Sequence, residues 1–149
     1  MVDIDKAFRL RPIENDYGFS QAVRAGDFLF ISGCVSWDDD GTPTNVGDMG
    51  AQMRSIYADI GRTLKHHGLD PTDIVKETIY VTDMDKFFDG AQARADFYQG
   101  VVPPAATGVE INRLVNTDFM IEIEAIAYFN HEIGDRLDLD HEKIGRAHV

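Results

Sequence analysis

Two glutamates two residues apart, Glu122 and Glu124, are the side chains of this sequence best placed to do chemistry. Both fall within Asp118-Phe119-Met120-Ile121-Glu122-Ile123-Glu124-Ala125-Ile126-Ala127-Tyr128-Phe129, which alternates as a strand does, so the two carboxylates share one face. A carboxylate in a cleft can act as a general base or hold an attacking water, and burial tunes it by penalising its charged form. Cys34 is the only cysteine; it would be a nucleophile only beside a cation or helix N-terminus, and no paired histidine is visible, so packing is its simpler role. His66 and His67 read as a helix-end pair, and His131, His141 and His148 fit no ligand spacing, so no metal site is expected. Arg24, Arg94 and Arg113 are the cations expected nearest a cleft, where one could receive an anion. Tyr17, Phe19 and Trp37 either shape an apolar pocket or pack in the core.

The elements that must position these groups follow from periodicity. Residues 7–13 alternate loosely, an edge strand tolerant of Pro12. Phe19–Val23 and Phe28–Gly33 flank a Gly26-containing turn and form a hairpin. From Asp48 the period changes: Met49, Met53, Ile56, Tyr57, Ile60 and Leu64 make the stripe of an amphipathic helix ended by Gly68. Ile74–Val81 reads as a buried strand, Asp85–Tyr98 as a second helix, and Thr107–Ile111 and Phe119–Phe129 as the last strands. The fold class is α/β (α+β), with two helices on one face of a mixed sheet. The other face needs cover, which association of identical chains would supply, leaving clefts for small ligands between them.

The chain of 149 residues suits one domain over residues 1–130 with a charged C-terminal extension over 131–149. Fourteen Lys and Arg against 26 Asp and Glu give a formal charge of −12, which disfavours nucleic acid and anionic membrane as partners. The opening residues lack the pattern of a signal peptide and no apolar run is long enough to span a bilayer, so a cytoplasmic location is expected.

Several short motifs occur in a specific order: Phe19-Ser20-Gln21-Ala22, Ala25-Gly26-Asp27 before Phe30-Ile31-Ser32-Gly33, and Gly68-Leu69 before Asp73-Ile74-Val75-Lys76. Val81-Thr82-Asp83-Met84, Pro104-Ala105-Ala106-Thr107 and Ile121-Glu122-Ile123-Glu124-Ala125-Ile126-Ala127 follow. In this order they resemble the RidA family, also called YjgF/YER057c/UK114 or endoribonuclease L-PSP, from about Tyr17 to Phe129. The resemblance implies a chorismate-mutase-like fold and a homotrimer whose sheets form an inner barrel with three interfacial clefts. It further implies hydrolysis of reactive enamines and imines, such as 2-aminoacrylate, to 2-oxo acids and ammonia with no cofactor.

Carried over residue by residue, the resemblance makes Glu122 the catalytic carboxylate that positions water, and Glu124 a structural acid. Ser32 and Gly33 match the cleft-lining strand, and Thr107 a small hydroxyl beside the anion site. Ala106 stands where an arginine would bind the substrate carboxylate bidentately. Gly108 replaces a cysteine, Ala91 an asparagine, Phe19 a tyrosine, and Cys34 follows where glutamine is common. The substrate-binding set is therefore Phe19, Ser32, Gly33, Cys34, Ala106 and Thr107. The expected function is hydrolytic deamination of a small enamine, imine or aminomuconate-type metabolite rather than general 2-iminoacid deamination, the alternative being a non-catalytic ligand-binding trimer.

Overall fold

The computed structural model describes residues 7–130; the extension expected over 131–149 lies outside the described residues. In chain order the elements are β1 (Ala7–Phe8), α1 (Ile13–Tyr17), β2 (Ala22–Ala25), β3 (Phe28–Cys34) and α2 (Met49–His66). A 3-10 turn, Pro71–Asp73, leads into β4 (Ile74–Val81), α3 (Met84–Asp89), α4 (Gln92–Phe97), β5 (Ala105–Glu110) and β6 (Ile121–Tyr128). The strands form one mixed sheet in the order β1-β2-β3-β6-β4-β5, with β4 and β5 parallel and the other neighbours antiparallel. The α/β class and the mixed sheet with helices packed on one face are as expected.

α2 starts where the Asp48 carboxylate accepts the Ala51 N–H and stops where Gly68 adopts a positive φ of 72°. Its stripe of Met49, Met53, Ile56, Tyr57, Ile60 and Leu64 is buried throughout. It packs on the inner sheet face, made by Leu29 and Ile31 of β3, Ile79 and Val81 of β4, and Ile121, Ile123, Ala125 and Ala127 of β6, all buried. Burial of this kind, at roughly 25 cal/mol per Å² of apolar surface, is the main force holding helix to sheet. The outer face carries Phe28 and Phe30, 42% and 46% exposed, beside the half-buried Ile126 and Tyr128. No helix among the described residues covers that face.

Two expectations need correction. The strand expected over residues 7–13 ends after Phe8, because Pro12 fixes a helical φ and begins α1, which Gly18 closes at a φ of +75°. The buried Glu14 carboxylate accepts the Leu10 and Arg11 N–H groups and holds the entry in place. The helix expected over Asp85–Tyr98 is broken into α3 and α4 at Gly90 and Ala91. A Cβ on Gly90 would stand 3.0 Å from the Gly50 nitrogen and 3.1 Å from its Cα, so the second layer crosses α2 backbone to backbone.

This contact is asymmetric. A Cβ on Gly50 meets nothing nearer than 3.8 Å. Gly90→Ala is expected to destabilise by about 1–3 kcal/mol through overpacking, whereas Gly50→Ala gains helix propensity and is neutral or stabilising; urea denaturation of the two variants checks the contrast.

Candidate functional site

The site grows from an irregularity in β3. Ile31 is paired with Ala125 and Cys34 with Ile123, so three steps along β3 match two along β6. The extra residue is a β-bulge, and its parity shift turns both Ile31 and Cys34 to the helix-covered core while Ser32 and Gly33 are released from it. Ser32 is anchored twice, its N–H donating to the Gln21 carbonyl at 2.8 Å and its hydroxyl to the Ser20 carbonyl at 2.6 Å. Gly33 forms the floor beneath Glu122. A Cβ there would lie 2.6 Å from Glu122 Oε2, so glycine is what lets the carboxyl rest against the strand.

Glu122 faces a cleft of about 260 Å³ walled by Tyr17, Phe19, Val35, Trp37 and Val115, with Ser32 and Gly33 at its base. The wall is held from behind by a small apolar cluster of Ile13, Val35, Trp37 and Phe119, onto which Phe19 packs. Trp37 serves both roles open to it in the sequence, being buried and lining the cleft. No hydrogen-bond donor among the described residues reaches the half-buried Glu122 carboxylate, whereas Glu124 accepts the Tyr80 hydroxyl at 2.6 Å. Burial, and then the charge of Glu124, push the Glu122 pKa above the ordinary carboxylate value.

Ala106 and Thr107 are not brought to this carboxylate within one chain. β5 is separated from β6 by β4, a spacing of about 10 Å across the sheet. Ala106 and Gly108 are in register with Glu77 and Ile79, both buried, and open on a second pocket of about 440 Å³ walled by Met84, Phe87, Phe88 and Arg94. Thr107 is in register with Thr78, and its hydroxyl accepts the Lys76 ammonium at 2.7 Å. Of the expected set, Phe19, Ser32, Gly33 and Glu122 therefore converge, and Ala106 and Thr107 form a separate group.

Cys34 requires correction as a cleft residue. The bulge turns its thiol inward, where it accepts from Gln21 Nε2 at 3.2 Å and donates to the Ser32 carbonyl at 3.4 Å. Burial pushes its pKa up to about 12, so it packs as a thiol rather than reacting as a thiolate. The three candidate arginines are also engaged. Arg94 pairs through Nε with the buried Glu77, which also accepts the hydroxyls of Tyr98 at 2.7 Å and Tyr57 at 3.2 Å. Arg24 lies over the Phe129 ring at 3.7 Å and donates to the Gly26 carbonyl. Arg113 folds onto its own loop, donating to the Leu114 and Val115 carbonyls. His66 stacks on Phe8 at 4.2 Å, and His67 Nδ1 meets the Thr63 carbonyl at 2.7 Å.

Val35 and Val115 were missed as cleft residues. Val35 lies one residue past the bulge and Val115 in a loop between strands, and neither carries a local signal of such a role.

A mixed sheet with helices on one face, a bulged second hairpin strand and a last-strand carboxylate in a side cleft define a small α/β protein. The endoribonuclease L-PSP family model matches residues 10–129, and the chain belongs to that family. A RutC family protein of Pyrococcus horikoshii is 38% identical over 110 residues, covering 74% of this chain and 86% of that protein. The mouse 2-iminobutanoate/2-iminopropanoate deaminase is 29% identical over 109 residues, covering 73% and 79%. Among solved structures, Protein YJGH superposes with a TM-score of 0.75 at 29% identity, covering 85% of this chain and 96% of that one. Rv2704 of Mycobacterium tuberculosis, a YjgF/YER057c/UK114 family member, has a TM-score of 0.69 at 28% identity, covering 82% and 97%. No helix among the described residues is long and apolar enough to cross a membrane.

The raised Glu122 pKa has a definite sign in stability. The folded state holds the proton more tightly than the unfolded chain, so its stabilising contribution is full below the unfolded value and is lost as pH rises through the folded one. Glu122→Gln is expected to remove that loss, so that the variant gains stability relative to the parent as pH rises through the same window; thermal melts from acid to neutral pH check it.

Proposed function

We propose that this protein is a cofactor-independent hydrolytic deaminase of a small imine or enamine, with Glu122 as its general base and acid. The observation that carries the reading is the carboxylate itself: half-buried, without a hydrogen-bond donor among the described residues, pushed above the ordinary carboxylate pKa by burial, and set against Gly33 at the base of the cleft. A carboxylate with a structural role alone would be expected to be satisfied, as Glu77 and Glu124 are. The deaminase name carried by the mouse relative supports the same class of reaction.

The chemistry balances with one carboxyl group. For an enamine, protonated Glu122 first delivers its proton to carbon, giving the iminium ion. The Glu122 carboxylate then takes a proton from water as the oxygen adds to the C=N carbon, and the C=N electron pair leaves the nitrogen as a neutral amine. The proton held by Glu122 passes to that nitrogen, the C–N bond breaks, and ammonia leaves as the hydroxyl becomes the carbonyl and returns its proton to Glu122. Burial serves both halves of the cycle, because a carboxyl with a raised pKa gives up and regains a proton nearer neutrality than an ordinary one. The site is completed in this reading by a homotrimer: Ala106 and Thr107 of one copy would approach the Glu122 cleft of the next, and the exposed Phe28 and Phe30 would be covered. Small enamines and imines are the first substrates to screen, with carboxylated aminomuconate-type compounds set beside neutral ones.

A second reading is a binding protein that converts nothing. It is favoured by the engagement of Arg24, Arg94 and Arg113 elsewhere in the chain, which leaves no arginine of that set to receive a carboxylate. Steady-state ammonia release from in situ imines separates the two. Glu122→Gln is expected to lower kcat by about 10²–10⁴, and the parent's rate should rise with pH through the raised Glu122 pKa until the base is ionised; a stabilising ligand that is never converted would establish the binder instead.

A further inference from the structure

We infer that the ligand of the Glu122 cleft is uncharged and carries an aromatic or branched aliphatic group, so that its recognition is apolar rather than carboxylate-directed. This names the substrate class for the site described above and rests on that cleft being the binding site.

The wall residues set the first condition. Tyr17, Phe19, Val35, Trp37 and Val115 offer rings and methyl groups, and among the described residues the only charged side chain lining the cleft is the Glu122 carboxylate. Phe19 and Trp37 stack with their ring centroids 6.4 Å apart at 18°, and Tyr17 meets Trp37 at 5.8 Å, so the wall is an aromatic surface suited to a flat or branched group. Carboxylate recognition in a protein cleft ordinarily uses an arginine fork, a lysine or convergent N–H donors. No arginine or lysine among the described residues lines this cleft.

The surrounding electrostatics set the second. Glu122 and Glu124 share one face, and a ligand carboxylate would add a third negative charge, with no cation among the described residues lining the Glu122 cleft. Arg113, the cation nearest in sequence to Val115, is folded back on the Leu114 and Val115 carbonyls. The second pocket is mostly apolar as well: Ala106 and Gly108 contribute no polar side chain, Met84, Phe87 and Phe88 are apolar, Arg94 is paired with Glu77, and Thr107 adds one hydroxyl. Lys76 is in register with Ala105, one position from Ala106, and its ammonium is held on the Thr107 hydroxyl. That ammonium keeps its charge on a neutral partner, so the inference is drawn for the Glu122 cleft as one chain lines it.

A matched pair of probes differing by one group tests it on the full-length chain. Phenylacetone and phenylpyruvate share the benzyl ketone and differ only in methyl against carboxylate. By calorimetric titration phenylacetone is expected to bind at least about tenfold more tightly than phenylpyruvate, and Val115→Arg, at an exposed wall position, to improve phenylpyruvate by about tenfold while leaving the neutral ketone no tighter. Equal or tighter binding of phenylpyruvate by the parent, or binding of neither ketone, overturns the inference. The corresponding imines, generated in situ by an amine oxidase and an amino-acid oxidase, add the catalytic arm, with kcat/KM expected to favour the neutral imine by at least about tenfold. Preferential binding of phenylacetone without turnover of either imine would sink the deaminase reading and leave the ligand class standing; turnover favouring the carboxylated imine would do the reverse.

Discussion

The contact between the Glu122 carboxyl and the bare Cα of Gly33 is the constraint on which the rest of the site depends. It exists because β3 carries one residue more than β6 across the Ile31–Cys34 interval, so two consecutive residues leave the core face together. Ser32 uses its polar groups to fasten the bulge to Ser20 and Gln21, and Gly33 leaves its side open. A larger residue at 33 would collide with the carboxyl, and a regular strand would turn one of the pair back toward α2. The bulge thus links backbone register directly to the chemistry of a side chain on the next strand.

Glu77 shows what the same residue type does when the fold satisfies it. It is fully buried on β4, paired with Arg94 and accepting two tyrosine hydroxyls, and it ties α4 and α2 to the sheet. Burial and the Glu77 charge raise the pKa of both tyrosines, which keeps them protonated as donors. Two glutamates on neighbouring strands, residues 77 and 122, therefore have opposite characters because one faces the helices and the other a cleft. Stripping one partner from such a buried ion pair ordinarily costs about 3–5 kcal/mol, so Arg94 is committed to structure before any ligand arrives.

Much of this was legible in the sequence where the signal is periodic. The stripe along α2, the Ile/Val/Thr/Tyr run of β4 and the alternation of β6 each repeat often enough to reveal their buried face, and the family motifs added Ser32, Gly33 and Glu122. What was not legible depends on contacts between distant residues. The break between α3 and α4 follows from the approach of Gly90 to Gly50, forty residues earlier in the chain. The inward turn of Cys34 follows from a bulge that alternation alone places on the wrong face. α1 has only five residues, too few for a period, although its Pro12 and Gly18 boundaries were available to read. The engagement of Arg94 needed Glu77, seventeen positions away on another element.

The site combines an acid with no hydrogen-bond donor among the described residues, a glycine floor and aromatic walls, the combination on which the proposed reactivity and the proposed kind of ligand both rest. Carbon-13 NMR titration of the Glu122 side-chain carboxyl in the full-length protein tests the account most directly. A midpoint clearly above that of an ordinary glutamate, falling when Glu124 is replaced by glutamine, is the predicted result, since burial and the neighbouring charge both act on it. A midpoint at or below the ordinary value would mean that the carboxylate is solvated or paired, and would contradict its assignment as the proton-exchanging group of the cleft.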